Sequence, residues 1–251
     1  MMAGEIVDNK GRGEADWNWP AIHPEGRKFG VIALAIAASV TFILDFELIG
    51  WPLMALSAGV FAFFRDPERV VPQDERAIVS PADGTISLIT NIEPPAELVG
   101  SDAAGNIGLP AGAVTRVSIF MSVFDVHINR SPISGVVQRL IYMPGKFMNA
   151  DLDKASEENE RQHLLVERAD GLLLGFTQIA GLVARRIVPF VKPGDTIAAG
   201  QRVGLIRFGS RVDVYLPAGT DAKVLLGQKV IAGETVLAEL GQQLLIEGVS
   251  Q

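Results

Sequence analysis

The chain contains no cysteine, which excludes disulfides, thiol nucleophiles and cysteine-ligated zinc, and suits a reducing compartment. Histidine is almost as scarce. His23, His127 and His163 stand alone, with none of the spacings that hold a metal, so no metal site is expected. Basic residues are outnumbered 22 to 29, and a net charge of −7 leaves a nucleic-acid partner without electrostatic support. A cleavable signal peptide is missing too: the first apolar run begins late, and no small-residue cleavage site follows it cleanly.

What the chain has in plenty is apolar residues, 48% of its 251, with a mean hydropathy of +0.28. That is high for a purely soluble protein and allows one domain with a membrane segment. Residues 1–27 read as a loose polar tail. Residues 29–44 are 16 without a charge and 48–64 are 17 more, with Asp45 and Glu47 between the runs. Each run as a helix spans about 25 Å, a little under a bilayer core. A buried hairpin of a soluble core competes with this reading, but neither run carries a polar stripe. Arg27 and Lys28 precede the first run, and Arg65 and Arg69 follow the second. The positive-inside rule then puts both ends of a hairpin over 28–66 on the cytoplasmic side, whether it spans the bilayer or dips into one leaflet.

Residues 67–251 follow another pattern. Runs at 114–120, 135–142, 164–166, 172–178 and 212–216 are rich in branched and aromatic residues and are punctuated by Gly, Pro and Asp. This predicts many short strands with tight turns. Residues 94–112 read as a loop, and the highly charged 145–163 as a loop with a helical turn. One echo stands out: Gly194-x-x-Ile197-x-x-Gly200-x-x-Val203 recurs as Gly227-x-x-Val230-x-x-Gly233-x-x-Val236. Two copies are too few for a solenoid. Turns of this kind resemble those of biotinyl and lipoyl carrier domains. The expected fold is mainly β (α+β): a sandwich or barrel-like domain with biotinyl/lipoyl-like hairpins, behind an N-terminal hydrophobic helical hairpin.

Three motifs carry chemistry. Gly209-Ser210 lies in Arg207-Phe208-Gly209-Ser210-Arg211-Val212-Asp213, just before a strand-like run. A serine hydroxyl can attack the preceding carbonyl if the peptide is strained and a base takes its proton, and glycine before it imposes no Cβ clash. Ser80-Pro81-Ala82-Asp83-Gly84 is by itself a turn. Phe124-Asp125-Val126-His127 puts a lone imidazole between apolar residues, where a satisfied structural histidine is the commoner case. Together the three resemble the phosphatidylserine decarboxylases, in the shorter prokaryotic form. Phe64-Arg65-Asp66-Pro67-Glu68-Arg69 and the stretch from Asn149 to Arg161 support the match.

The resemblance implies a proenzyme that cuts itself between Gly209 and Ser210 into a β chain of residues 1–209 and an α chain of 210–251. Ser210 becomes a pyruvoyl group, which forms a Schiff base with the substrate. It also implies His127 as base and proton shuttle and Asp83 as the carboxylate that orients it. The substrate is a serine phospholipid, met at a cell membrane; a homodimer is a further expected partner. Longer relatives carry a second histidine where this chain has Arg130, which leaves proton transfer to His127, with His163 a less favoured second shuttle. Arg130 is then a candidate for the substrate phosphate or carboxylate, against the alternative of a surface salt bridge. Two other readings stay open: a membrane-tethered biotinyl/lipoyl-like carrier or adaptor, and a structural membrane protein without chemistry. No carrier lysine sits between the repeats, where Arg207-Phe208-Gly209-Ser210-Arg211 stands instead.

Overall fold

The computed structural model describes residues 19–100, 107–147, 158–181, 186–207 and 209–243. Helix α1 (Pro24–Ala38) runs on through a π turn, Ser39–Ile43, as one helix of 20 residues. At 1.5 Å per residue it is about 30 Å long, and it is apolar enough to cross a membrane. A turn with Asp45 at φ 56° reverses the chain into α2 (Glu47–Phe63), which is shorter, at 17 residues. Glycine sets the spacing of the pair: a Cβ on Gly30 would stand 2.3 Å from the Phe61 ring. The outward faces are apolar, with Ile32, Leu34, Phe42, Ile43, Leu48 and Trp51 all exposed. The hairpin begins earlier than the sequence suggests. α1 starts at Pro24, and β1 (Ala21–Ile22) pairs with β2 (Arg65–Asp66) to clasp the base. Residues 1–18 of the expected tail lie outside the described residues.

The rest is mainly β. The further strands are β3 (Ala77–Val79), β4 (Gly84–Ile92), β5 (Val114–Met121), β6 (Ile128–Arg130), β7 (Gly135–Met143), β8 (Arg161–Glu167), β9 (Leu173–Ala180), β10 (Ile187–Pro189), β11 (Thr196–Ile197), β12 (Arg202–Ile206), β13 (Ser210–Tyr215), β14 (Lys229–Val230) and β15 (Val236–Glu239). An antiparallel sheet in the order β11-β7-β8-β9-β13-β5-β4-β14 curls around the core, and β10-β12-β6 and β15-β3 form smaller sheets. Strand alternation sorts the side chains into two faces. Val117, Ile119 and Met121 of β5, Val212 and Val214 of β13, and Phe176 of β9 share the main core. The other face is also buried but polar, with Arg116, Ser118, His163, Thr177, Arg211 and Asp213.

The five expected strand runs are all present. The charged stretch 145–163 differs at its end: Arg161, Gln162 and His163 are the first residues of β8, and the last two are buried in the sheet. Their polarity hides the strand, because both faces here hold polar groups rather than alternating with solvent. Residues 148–157 lie outside the described residues.

The glycine echo is structural. Gly194, Gly200, Gly227 and Gly233 all have φ between 72° and 91°. The two copies sit in matching positions about an internal twofold. Val79 N–H donates to Pro132 O, and Arg130 N–H to Pro81 O. Gly227 N–H donates to Ile86 O as Gly194 N–H does to Val137 O, both at 2.8 Å. Ser80-Pro81-Ala82-Asp83-Gly84 and Ser131-Pro132-Ile133-Ser134-Gly135 are therefore the same turn used twice.

Candidate active site

The site gathers where β12 hands over to β13. Gly209 has φ +64° and a Cβ there would meet open space, so a side chain would be opposed by the left-handed backbone, at about 1–2 kcal/mol, and not by a clash. Both polar groups of Gly209 are held. Its carbonyl accepts the Gly181 N–H at 3.0 Å, from just beyond the end of β9. Its N–H donates to His127 Nε2 at 3.2 Å. Ser210 opens β13 in register with Ala180 on one side and Met121 on the other. The serine is fully buried, and its hydroxyl donates to Met121 Sδ at 3.3 Å. Behind Met121 runs a buried amide chain: Asn129 Nδ2 on Met121 Sδ, Gln178 Nε2 on Asn129 Oδ1, and Gln162 Nε2 on Gln178 Oε1. Gln162 also lines an open pocket with Tyr142, Glu160 and Arg186.

His127 is buried just before β6, with its ring 4.3 Å from that of Phe63 at the end of α2. Its partners determine the tautomer. Nδ1 is 2.9 Å from the Asp125 carbonyl, which can only accept, so Nδ1 carries the proton. Nε2 faces an N–H, which can only donate, so Nε2 is unprotonated and its lone pair accepts the Gly209 N–H. Burial is the main influence on its pKa and holds it down to about 4, against the lesser opposing pull of Asp125. The imidazole is a neutral base at physiological pH.

The structure thus brings His127 and the Gly209-Ser210 peptide together across 82 residues. Asp83 is placed differently from the expectation. Its Oδ2 takes Arg69 Nη2 at 2.6 Å and its Oδ1 takes the Ala232 N–H at 2.8 Å. Both nitrogens of His127 are engaged elsewhere, so the two side chains do not meet, and a main-chain carbonyl orients the imidazole instead. The internal twofold explains the second contact: Ser134, the counterpart of Asp83, accepts the Ala199 N–H in the same way. Burial raises the Asp83 carboxyl above its ordinary value, with Ala232 N–H and Arg69 opposing. Arg130 is buried, not open to a head group. Its guanidinium donates to Gly200 O at 2.8 Å and Pro67 O at 2.9 Å and lies 3.6 Å from Asp66. His163 pairs in register with Thr177, which pairs with Asp213, on the face of the sheet opposite the Ser210 side chain. Its Nδ1 meets Thr177 Oγ1 at 2.8 Å, its Nε2 is buried without a partner among the described residues, and burial holds its pKa down to about 4.

Gly181, Met121 and the Asp125 carbonyl were not singled out by sequence reasoning. A glycine in Ala180-Gly181 and a methionine ending a strand carry no local signal. Met121 and Asp125 both lie in the stretch from Phe120 to Gly135 around the His127 motif, but neither was given a role there.

The site adjoins the helical hairpin. Arg207 pairs with Glu25 at 3.2 Å and stacks over the Phe29 ring at 5.0 Å, both on α1. Phe63 and Phe64 pack with Val126, Ile128 and Leu205 beneath His127.

Comparison with known proteins shows the family. The chain matches the family model for phosphatidylserine decarboxylase over residues 56–238, which include Asp83, His127 and Ser210. It is 71% identical over 250 residues to the phosphatidylserine decarboxylase proenzyme of Erythrobacter litoralis, covering all of both chains. It is 69% identical to the proenzyme of that name from Novosphingobium aromaticivorans, over all of this chain and 99% of the other. It is 57% identical to that of Zymomonas mobilis, over 90% of each chain. With a family match across most of its length and relatives matched from end to end, the chain is a carboxy-lyase and belongs to the phosphatidylserine decarboxylase family.

Proposed function

We propose that the chain cuts itself between Gly209 and Ser210 and then converts phosphatidylserine to phosphatidylethanolamine and CO2 at position 210. One observation carries the reading. The Gly209 carbonyl is held by a main-chain N–H while the unprotonated nitrogen of a buried, neutral imidazole accepts the N–H of the same residue.

In the first step Ser210 Oγ leaves Met121 Sδ, a weak acceptor, and attacks the Gly209 carbonyl carbon. His127 Nε2 releases the Gly209 N–H and takes the hydroxyl proton, and the Gly181 N–H stabilises the charge growing on the Gly209 oxygen. Collapse breaks the C–N bond, and His127 returns the proton to the departing Ser210 nitrogen, leaving an ester. Loss of the Ser210 Cα proton to His127, again neutral, with cleavage of the Cβ–O bond releases Gly209 as a carboxylate and leaves dehydroalanine. Its imine tautomer takes up water and loses ammonia, and the pyruvoyl group remains. β13 is paired along its length with both β5 and β9, so the new chain end stays in the sheet.

The residues present fit that group. The chain end is buried, the oxyanion donor stands beside it, and the amide chain behind Met121 fixes the wall. When formed, the group supplies an electrophilic carbonyl conjugated to an amide, a sink for the electron pair released as the substrate carboxylate leaves. His127 then holds the proton that replaces CO2. Arg186, exposed on the rim of the pocket beside Gln162, is the candidate cation for the substrate phosphate in place of Arg130. The helical hairpin sits in the membrane with its base on the cytoplasmic side, so the lipid head group is reached while its acyl chains stay in the bilayer. A carrier module is disfavoured, because the hairpin between the repeats holds Arg207-Phe208-Gly209-Ser210-Arg211 and no attachment lysine.

Intact mass of the purified protein under denaturing conditions tests the reading. The expected result is two species that part after Gly209, the smaller lighter than its serine form by one ammonia. Ser210→Ala should give one uncut chain without decarboxylase activity on phosphatidylserine vesicles. An active alanine variant would sink the mechanism.

A further inference from the structure

We propose that the loop between β5 and β6, residues 122–126, is a second lipid contact, with Val123 and Phe124 entering the bilayer interface beside the base of the hairpin. This rests on the reading that the hairpin lies in a membrane. Phe124 is 83% exposed and Val123 48%. Loop tips are ordinarily polar, and a phenylalanine standing in water is unfavourable unless something covers it.

The loop is built to hold this shape. Ser122 donates through both its N–H and its hydroxyl to Asp125 Oδ2, at 2.8 and 2.7 Å, and Asp125 N–H returns to Ser122 O at 3.0 Å. Asp125 is thereby turned inward and the two apolar side chains outward.

The surroundings name the occupant. Arg65, just past the end of α2, donates to Ala62 O of that helix and to the Phe124 carbonyl. The loop tip is tied to the level at which the apolar helix stops and the basic residues Arg65, Arg27 and Lys28 begin. Trp19, 82% exposed, stands at the same base, just before the β1–β2 clasp. Aromatic side chains beside arginines at the end of an apolar helix are the pattern of a lipid interface.

The other end of the loop reaches the chemistry, since the Asp125 carbonyl holds His127 Nδ1. A loop seated in the interface sets the base, and Gly209-Ser210 with it, at head-group depth. Phe124 itself touches no reacting group.

The absence of native cysteine allows a single-site probe in the full chain. Phe124→Cys, labelled with a nitrobenzoxadiazole fluorophore and reconstituted in vesicles of phosphatidylcholine and phosphatidylglycerol, should emit at shorter wavelength and be quenched by shallow spin-labelled lipid. Asp170→Cys, in the exposed turn between β8 and β9, should stay aqueous. Phe124→Ser should self-cleave as completely as the parent and turn over monomeric dihexanoyl phosphatidylserine at the parental rate. On vesicle phosphatidylserine at subsaturating surface concentration it should be about tenfold slower, the low end of what burying a phenylalanine is worth. An aqueous label at position 124, or an equal loss on both substrates, overturns the proposal. A parent that decarboxylates neither substrate refutes the enzymatic reading, while the labelling result still decides the lipid contact.

Discussion

His163 offers a measurement in which the structure sets both sign and size. It is fully buried, and burial lowers its pKa from 6.5 to about 4. In the unfolded chain it binds a proton near pH 6.5, and in the folded chain only near 4. Between those values the unfolded state holds more protons, so stability falls as pH falls through the window. From pH 7 to pH 5, linkage with these two values gives a loss of about 2 kcal/mol for this one side chain. His163→Phe removes the titration at similar volume and leaves Thr177 Oγ1 with its other partner, the Tyr215 hydroxyl at 3.1 Å. The assay is denaturant unfolding of the uncut Ser210→Ala chain in detergent, with and without His163→Phe, at pH 7 and pH 5. His127 and the carboxylates contribute equally to both chains, so the difference between the two acid-induced losses isolates His163. The His163 chain should lose about 2 kcal/mol more than the phenylalanine variant. Equal losses, to within about 0.5 kcal/mol, would show that the histidine already carries its proton in the folded state, or that the pocket admits water, and would refute the reasoning.

Three other outcomes follow from the site. Gly181→Pro deletes the N–H that the Gly209 carbonyl accepts, and self-cleavage followed on a denaturing gel should slow by about 10²–10³-fold, while Gly181→Ala keeps the N–H and the rate. Asp83→Ser copies the acceptor that Ser134 provides in the other half, so the folded variant should self-cleave within severalfold of the parent; complete loss of cleavage would assign the carboxylate charge to the reaction itself. Arg186→Gln should raise KM for vesicle phosphatidylserine about tenfold with kcat kept, the scale of one charge-assisted hydrogen bond; an unchanged KM removes it from the head-group site.

What could be read from the chain alone was local in origin. Two uncharged runs of helical length, period-two branched stretches and glycines at fixed intervals announce a helical hairpin and a β-rich domain, because each depends on its own backbone and nearest neighbours. Gly209 before Ser210 was legible for the same reason: a left-handed backbone wants glycine wherever it occurs. β8 was partly missed because its polar residues are satisfied by strands distant in sequence, which no local pattern reveals. The site depended on more than motifs. The antiparallel register of β9, β13 and β5 carries Gly181 to the Gly209 carbonyl and Met121 to Ser210, and the packing of α2 and β6 sets His127 against Gly209. Asp83 and Arg130 show the reverse case. Their residue types suited an orienting carboxylate and a substrate cation, yet in the fold they meet Arg69, Ala232, Gly200 and Pro67 first. Sequence determined which chemistry the chain carries, since composition and local conformation travel with the residues. Tertiary structure decided which groups face one another, because a hydrogen bond acts over about 3 Å and only the assembled sheet brings residues 82 positions apart within that reach.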